Sequence, residues 1–289
     1  MTLLSILIGL LLEHVYDQLH RLRRYDHFHR YIAWMRARLP VPPFGGWVQL
    51  ATLLLPLLFA VLLVQGALHG LLWGLLSLAF GVLVLLFCLG PQDLFSDIER
   101  YRQALAEGDR ERARALAGEL LGETPPDDLQ AEAAAVVERS MIEANVRIFG
   151  VLFWFALLGP LGAVAYRAAR EMCSERLDGD QAFNAAVDDL NAVLDWVPAR
   201  LAAAGYALSG HFDGARQGWR LYAESGAAHN PLASDALLAA VGLGALDLDA
   251  DQPVDDWPER LHAASRLIWR TLVIWVFVIA LLTLAGWFG

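Results

Sequence analysis

Three long apolar segments are the feature that most constrains how this 289-residue chain folds. They are Trp47–Leu68, Gly70–Gly90 and Leu267–Gly289, and the last has no charged residue after Arg270. About twenty apolar residues in a helix cross the hydrocarbon core of a bilayer, and a backbone in lipid satisfies its hydrogen bonds internally as a helix. We therefore predict an all-α fold, a polytopic helical membrane protein with cytoplasmic helical inserts.

Composition narrows the classes of partner and chemistry. The net charge is −10 and 57% of the residues are hydrophobic, so we expect the lipid bilayer as a partner and exclude nucleic acid, which needs a basic face. All 22 basic residues are Arg, which excludes Schiff-base and P-loop lysines. Cys88 and Cys173 form no CxxC spacing, so neither a disulfide framework nor a zinc site is indicated. A small ligand and a homo-oligomer are left open.

The pattern of apolar, acidic and broken segments predicts five parts. They are an N-terminal amphipathic helix and membrane hairpin (1–90), an acidic helical cytoplasmic insert (91–147), broken membrane segments with a polar DWVPAR region (148–210), a helical cytoplasmic region (211–266) and a C-terminal transmembrane anchor (267–289). Six Arg residues lie in 13–38, so the positive-inside rule places that side, and with it the large polar regions, in the cytoplasm. We expect a multi-pass membrane protein.

The fourth apolar segment, Ile148–Ala165, is interrupted by Gly159-Pro160. Proline inside such a segment kinks or breaks the helix, which predicts either a kinked span or a re-entrant pair. Residues 193–209 are apolar enough to enter the membrane, yet they include charged residues. If both segments cross, or both are re-entrant, residues 211–266 are cytoplasmic; if only the first crosses, they are outside.

Two groups of polar residues are candidates for chemistry. The first is a helical stripe that includes Glu13 and His27, where carboxylates and imidazoles suit a divalent ion or a phosphate-bearing ligand. Its alternative is a solvated helix with i,i+4 pairs. The second lies before Pro198: Asp188, Asn191 and Asp195 share one helical face. Asp189 lies off that face.

Acids beside Arg200 suit magnesium-phosphate binding, with the arginine holding the phosphate. The alternative is an internal ion pair of Arg200 with Asp195 or Asp189. No Walker A, GxGxxG, GxSxG or HExxH motif occurs, so an autonomous ATPase, a Rossmann enzyme, a serine hydrolase and a zincin are not indicated.

The chain resembles the AmpE family. The residues that carry the resemblance are Leu194-Asp-Trp-Val-Pro-Ala-Arg-Leu201, Tyr206 to His211, Leu152-Phe-Trp154, Gly159-Pro160, Glu13 and Asp26-His27. AmpE is an inner-membrane protein encoded beside the amidase of the β-lactamase-induction locus in Gram-negative bacteria. The resemblance implies a signalling modulator of the response to β-lactams and cell-wall damage.

AmpE is similar in turn to the CobD/CbiB cobinamide-phosphate synthases, which use ATP and magnesium. Their DD-x-x-N-x-x-PARL pattern resembles Asp188-Asp189…Pro198-Ala-Arg-Leu201. Their Glu-Asn-x-x-Asp-Gly motif before LFW is replaced here by Ile142-Glu-Ala-Asn-Val-Arg147, and their Asn-Thr-Leu-Asp motif by Ala168-Ala-Arg-Glu171. We therefore expect that the cobamide synthase activity is absent.

Three function hypotheses follow. The first is a regulatory modulator without enzymatic activity. The second is a membrane-embedded ligase-like enzyme of the CobD/CbiB type acting on an unknown amphiphile, for which magnesium and a nucleotide would be cofactors. The third is a small-molecule binding or carrier protein built around the broken segments. The cofactor and any metal stay unknown, and the candidate binding residues are Glu13, Asp26, His27, Asp188, Asp189, Asn191, Asp195 and Arg200.

Overall fold

The computed structural model is helical in the part of the chain that it describes, with no strand there. The predicted all-α class is therefore confirmed. The described residues are 2–15, 30–35, 45–68, 74–89, 94–173, 180–226, 230, 233–246 and 257–285.

Twelve α-helices lie within these ranges. In chain order they are α1 (Thr2–Val15), α2 (Gly45–Leu68), α3 (Leu75–Cys88), α4 (Leu94–Ala106), α5 (Arg110–Leu121), α6 (Leu129–Ala144), α7 (Gly150–Leu158), α8 (Pro160–Glu171), α9 (Gln181–Ser209), α10 (Phe212–Glu224), α11 (Ser234–Ala245) and α12 (Trp257–Leu284). A π-helical segment, Asn145–Phe149, joins α6 and α7. The result is one helix, Leu129–Leu158.

Three of these helices are long and apolar enough to cross a membrane, by length and composition: α2, Leu129–Leu158 and α12. Helices α2 and α12 contain most of the first and last predicted spans. The long helix starts well before the predicted apolar segment at Ile148. Helix α3 has 14 residues and a length of about 21 Å. Residues 70–73 and 90 of the predicted second span lie outside the described ranges.

The predicted break at Gly159-Pro160 is present, and it reverses the chain. Gly159 has a φ of +65°, a left-handed conformation that favours glycine, and Pro160 is the first residue of α8. Helix α8 then packs back along α7. A Cβ added at Gly150 would lie 2.3 Å from the hydroxyl oxygen of Tyr166, so the two helices are in close contact.

The chain forms two compact units, which we describe separately. The first comprises residues 1–91, 150–194 and 278–289. Its buried cluster joins the short helical stretch 30–35 to α2, α8 and α9. The members are Ile32, Met35, Leu50, Leu53, Leu54, Ala168, Met172, Phe183, Ala186 and Val187.

The second unit comprises residues 92–149 and 195–277. Its largest buried side chains include Tyr101, Phe149 and Tyr206. The ring centroid of Phe149 lies 5.2 Å from that of Trp275 and 6.1 Å from that of Tyr206. These aromatic contacts join the end of the π-helical segment to α9 and α12.

Candidate functional site

Helix α9 carries most of the polar residues that the sequence predicts to be functional. It begins after Asp180, whose Oδ1 accepts a hydrogen bond from the backbone N–H of Phe183 at 3.0 Å, as a helix N-cap does. The helix continues through Pro198 to Ser209. It places Asp188, Asp189 and Asn191 in the first unit and Asp195 and Arg200 in the second.

Asn191 is the buried polar residue of this helix in the first unit. Its Nδ2 donates to the carbonyl oxygens of Ala169 at 2.9 Å and Val187 at 2.8 Å, and it lies 3.3 Å from the Sγ atom of Cys173. No donor among the described residues reaches its Oδ1. Asn191 therefore ties α9 to the end of α8 and keeps one unused acceptor.

Asp188 and Asp189 differ in burial. Asp188 is half-buried, whereas Asp189 is exposed, in keeping with the sequence prediction that Asp189 lies off the shared face. Counted back from Pro198, the acids of the DD-x-x-N pattern correspond to Asn191 and Ala192, and its amide corresponds to Asp195. The match to Asp188 and Asp189 is thus offset by three residues.

Asp195 is buried in the second unit beside the π-helical segment. Its Oδ1 accepts a hydrogen bond from Nδ2 of Asn145 at 3.4 Å, and Asn145 is only 1% exposed. Asn145 is the first residue of the π-helical segment, a rare geometry that frequently marks functional sites. Asn145 Oδ1 meets no donor among the described residues.

A network of ion pairs surrounds Arg147, which lies two residues after Asn145 in the same helix. Arg147 Nε donates to Glu143 at 2.6 Å and its Nη1 donates to Asp97 at 3.0 Å. Glu143 also pairs with Arg139 at 2.7 Å, and Asp97 pairs with Arg100. The sequence reasoning missed this network, although the i,i+4 spacing of the three charges before the apolar run at Ile148 is a signal for it.

Another buried carboxylate, that of Glu132, lies near the start of α6. Glu132 accepts hydrogen bonds from the hydroxyl of Tyr101 at 3.0 Å and from Arg110 at 3.1 Å. Burial raises the pKa of the Tyr101 hydroxyl, and the adjacent Glu132 carboxylate raises it further. Tyr101 thus stays a neutral donor, and Glu132 holds α4, α5 and α6 together. The sequence reasoning did not single out Glu132.

Arg200 contacts its own helix. Its guanidinium carbon lies 4.1 Å from the ring centroid of Trp196, a cation–π distance, and its Nη1 donates to the Trp196 carbonyl oxygen at 2.9 Å. No carboxylate among the described residues forms an ion pair with Arg200. The structure therefore does not bring Arg200 together with the acids that the sequence places near it.

The first predicted constellation falls largely outside the described part of the chain. The backbone of Glu13 lies in α1, whereas Asp26 and His27 lie outside the described residues. Among the side chains that the structure does describe, no three His, Cys, Asp or Glu residues form a group suited to a metal ion.

The arrangement in the second unit matches opposite charges closely. An arginine pairs with each of the buried carboxylates of Asp97, Glu132 and Glu143. The attraction within such a pair offsets much of the free energy that is lost when the carboxylate is removed from water. Chemically, these groups can hold helices in register. Arg200 and Asn145 of this unit each have a donor or acceptor that no described residue occupies.

Comparisons with known proteins agree with the family resemblance. The family described as regulatory signalling modulator protein AmpE matches residues 1–288. A protein AmpE of Shigella flexneri is 28% identical over 229 residues, which cover 76% of this chain and 78% of that protein.

Two relatives carry the other family name. A cobalamin biosynthesis protein CobD of Chromobacterium violaceum is 30% identical over 220 residues, which cover 70% of each chain. A protein of the same description from Stutzerimonas stutzeri is 28% identical over 222 residues, 71% of this chain and 72% of that one. No solved structure matches.

Proposed function

Because the chain belongs to the AmpE family of regulatory signalling modulator proteins, we propose that it modulates the response to β-lactams and cell-wall damage from the bacterial inner membrane. The observation that carries the proposal is the extent of the family match, residues 1–288. It includes the polar half of α9 and the ion-pair network as well as the apolar helices.

The chemistry of the buried charges supports a role without synthase activity. Where the synthase motif has Asp-Gly before LFW, this chain has a stretch that ends in Arg147. Arg147 occupies both Glu143 and Asp97, so these carboxylates already have a cationic partner. The described residues therefore do not fit the magnesium-nucleotide site that the resemblance implies, and we derive no reaction step from it.

We further propose that residues 91–147 and 211–266 lie on the same, cytoplasmic side. Tyr206, near the end of α9, donates to the carbonyl of Met141 at 2.9 Å, and Ser209 lies 2.7 Å from Thr271 near the start of the charge-free part of α12. At these contacts α9, α12 and the helix Leu129–Leu158 meet, which supports a common side for the polar regions that they lead to. Cysteine accessibility at positions 230 and 250 tests this: labelling from the periplasm would overturn it.

The regulatory proposal is tested by an in-frame, non-polar deletion of the gene in its host. We expect β-lactamase induction by a β-lactam, or β-lactam tolerance, to change several-fold and to return with the wild-type gene. Unchanged induction and tolerance would refute the proposal. Complementation with Asp189→Ala and Arg200→Ala, each beside the exposed controls Asp213→Ala and Arg216→Ala, shows whether the α9 positions are part of the function.

The two CobD relatives favour a second candidate, a ligase-like membrane enzyme acting on an amphiphile. This candidate predicts that the chain restores cobalamin synthesis to a strain lacking CobD, or that the purified protein melts at a higher temperature when ATP and magnesium bind. If neither occurs while the deletion alters induction, the regulatory function stands and the ligase does not.

A further inference from the structure

We propose that Arg200 and Trp196 form a binding site for the anionic head group of an amphiphile whose hydrocarbon chain lies against Val197 and Leu201. The inference extends the proposed function by naming a ligand class for α9. It is argued from three features of the second unit: the depth of Arg200, its unused donors and the apolar surface around it.

The depth of Arg200 follows from how α9 packs beside α12. Ser209 lies 2.7 Å from Thr271, and a Cβ added at Gly205 would lie 3.5 Å from Trp275 Nε1, so the two helices run antiparallel there. The charge-free part of α12 begins after Arg270. Arg200 precedes Gly205 by five residues, or about 7 Å along α9, and therefore lies further than Gly205 from the level of Arg270, on the charge-free side.

A cation at this depth needs an anionic partner. A charged side chain within the hydrocarbon region costs a few kcal/mol on insertion scales, and such residues mark ligand or ion sites by default. Arg200 is the one charged residue between Trp196 and Gly210. The Trp196 ring and carbonyl oxygen are its described contacts, and neither carries a negative charge.

The guanidinium keeps donors for a ligand. Arginine has five N–H donors in a planar fork that matches the oxygens of a phosphate or carboxylate. One of these donors binds the Trp196 carbonyl. Among the described residues none accepts a hydrogen bond from the other donors, and the guanidinium carbon lies 4.1 Å from the centroid of the Trp196 ring. The geometry is suited to a phosphate group held by two hydrogen bonds.

The surroundings select an amphiphile over a small soluble anion. Trp196, Val197 and Leu201 are 46%, 38% and 46% exposed, and their spacing places them on the same side of α9 as Arg200. Apolar surface next to a cation complements a hydrocarbon chain that carries an anionic head. Free phosphate would satisfy Arg200 but would leave this apolar surface without a partner.

The experiment measures retained lipid by native mass spectrometry of the full-length protein in detergent. The probes are phosphatidylglycerol, phosphatidylcholine and an excess of inorganic phosphate. We expect the wild type to retain phosphatidylglycerol about tenfold better than phosphatidylcholine, with no displacement by inorganic phosphate. Arg200→Gln removes the preference, whereas the control Arg216→Gln, in an exposed residue of α10, retains it.

Three outcomes would overturn the inference. If Arg200→Gln keeps the preference for phosphatidylglycerol, the site is elsewhere. If inorganic phosphate displaces the lipid, the ligand is a free anion. The third outcome is a dimer that excludes lipid, which would mean that a second copy covers this face.

If Arg200→Gln does not fold, Arg200→Lys is compared with Arg216→Lys. Only Arg200→Lys should show a preference for phosphatidylglycerol that is several-fold weaker, because lysine lacks the planar set of donors that arginine has. Since binding is measured directly, failure here leaves the induction phenotype untouched.

Discussion

The hydroxyl of Tyr206 donates a hydrogen bond to the carbonyl oxygen of Met141, 2.9 Å away. At the end of α6, the backbone N–H of Asn145 bonds to the carbonyl of Ile142, three residues back, in place of that of Met141. Tyr206 thus donates to a buried carbonyl that the Asn145 N–H does not use. A buried carbonyl without a donor would be costly.

Tyr206→Phe should therefore destabilise the protein by about 1–2 kcal/mol, because it leaves the buried Met141 carbonyl without its donor. The measurement is chemical unfolding in detergent micelles. Tyr222→Phe is the matched control: Tyr222 is also buried, and its hydroxyl has no partner among the described residues. Equal losses in the two variants would show that the Tyr206 hydrogen bond contributes nothing.

Arg147→Met should destabilise the protein by roughly 3 kcal/mol, the low end for breaking a buried ion pair. The low end is expected because Glu143 keeps Arg139 and Asp97 keeps Arg100. The same unfolding measurement on Arg220→Met is the control, since the Arg220–Glu224 pair is exposed at 3.5 Å and contributes at most about 0.5 kcal/mol. A loss for Arg147→Met no larger than the control would contradict a structural role for the network.

Gly150→Ala should destabilise the contact between α7 and α8. The new Cβ would lie 2.3 Å from the Tyr166 hydroxyl oxygen, and such overpacking costs about 1–3 kcal/mol. Gly66→Ala in α2 is the control, because no atom of the described residues lies within 4 Å of its Cβ position and alanine is the better helix former. In nanodiscs, the unfolding temperature of Gly66→Ala should equal or exceed that of the wild type, and that of Gly150→Ala should be lower.

Glu99 should contribute to stability at neutral pH and lose that contribution in acid. Its hydrogen bonds to Arg102 lower the pKa of the carboxyl from 4.5 to about 2. A lowered folded-state pKa means that the contribution is complete above pH 4.5 and disappears as the pH falls through about 2. The difference in unfolding free energy between wild type and Glu99→Gln should therefore be constant above that window and shrink within it. Because the Glu99–Arg102 pair is exposed to solvent, this difference in unfolding free energy is at most about 1 kcal/mol.

If the difference in unfolding free energy between wild type and Glu99→Gln does not change with pH, the lowered pKa of Glu99 is contradicted. Arg102→Gln offers a check on the cause, because removing the donor should return the carboxyl pKa towards its ordinary value. The Glu99→Gln effect should then be small at every pH in that background.

Much of the fold was predictable from apolar length and from one proline. The charge-free run after Arg270 and the apolar run from Trp47 predict helices α12 and α2 because lipid admits no other open backbone structure. The Gly159-Pro160 break was predictable since proline cannot continue a helix without losing a hydrogen bond. The start of the long helix at Leu129 was not, because its first turns are polar and alanine-rich.

The site was predictable in part. The helical period separates Asp189 from the face that carries Asn191 and Asp195, and the structure shows the former exposed and the latter two buried. Which partner each group meets depends on contacts distant in sequence: Asn145 and Asp195 are fifty residues apart. Periodicity within one helix carries no information about the helix that packs against it.

The sequence by itself predicted that this protein has helices suited to a lipid bilayer, because the length of an apolar segment decides whether it can cross one. It also indicated the family, because the DWVPARL stretch is specific. Only the tertiary structure decided how the charges are used. It paired Arg147 with Glu143 and Asp97 and left Arg200 against Trp196. The physical reason is that an ion pair acts over a few ångströms, a distance that depends on the packing of helices remote in sequence.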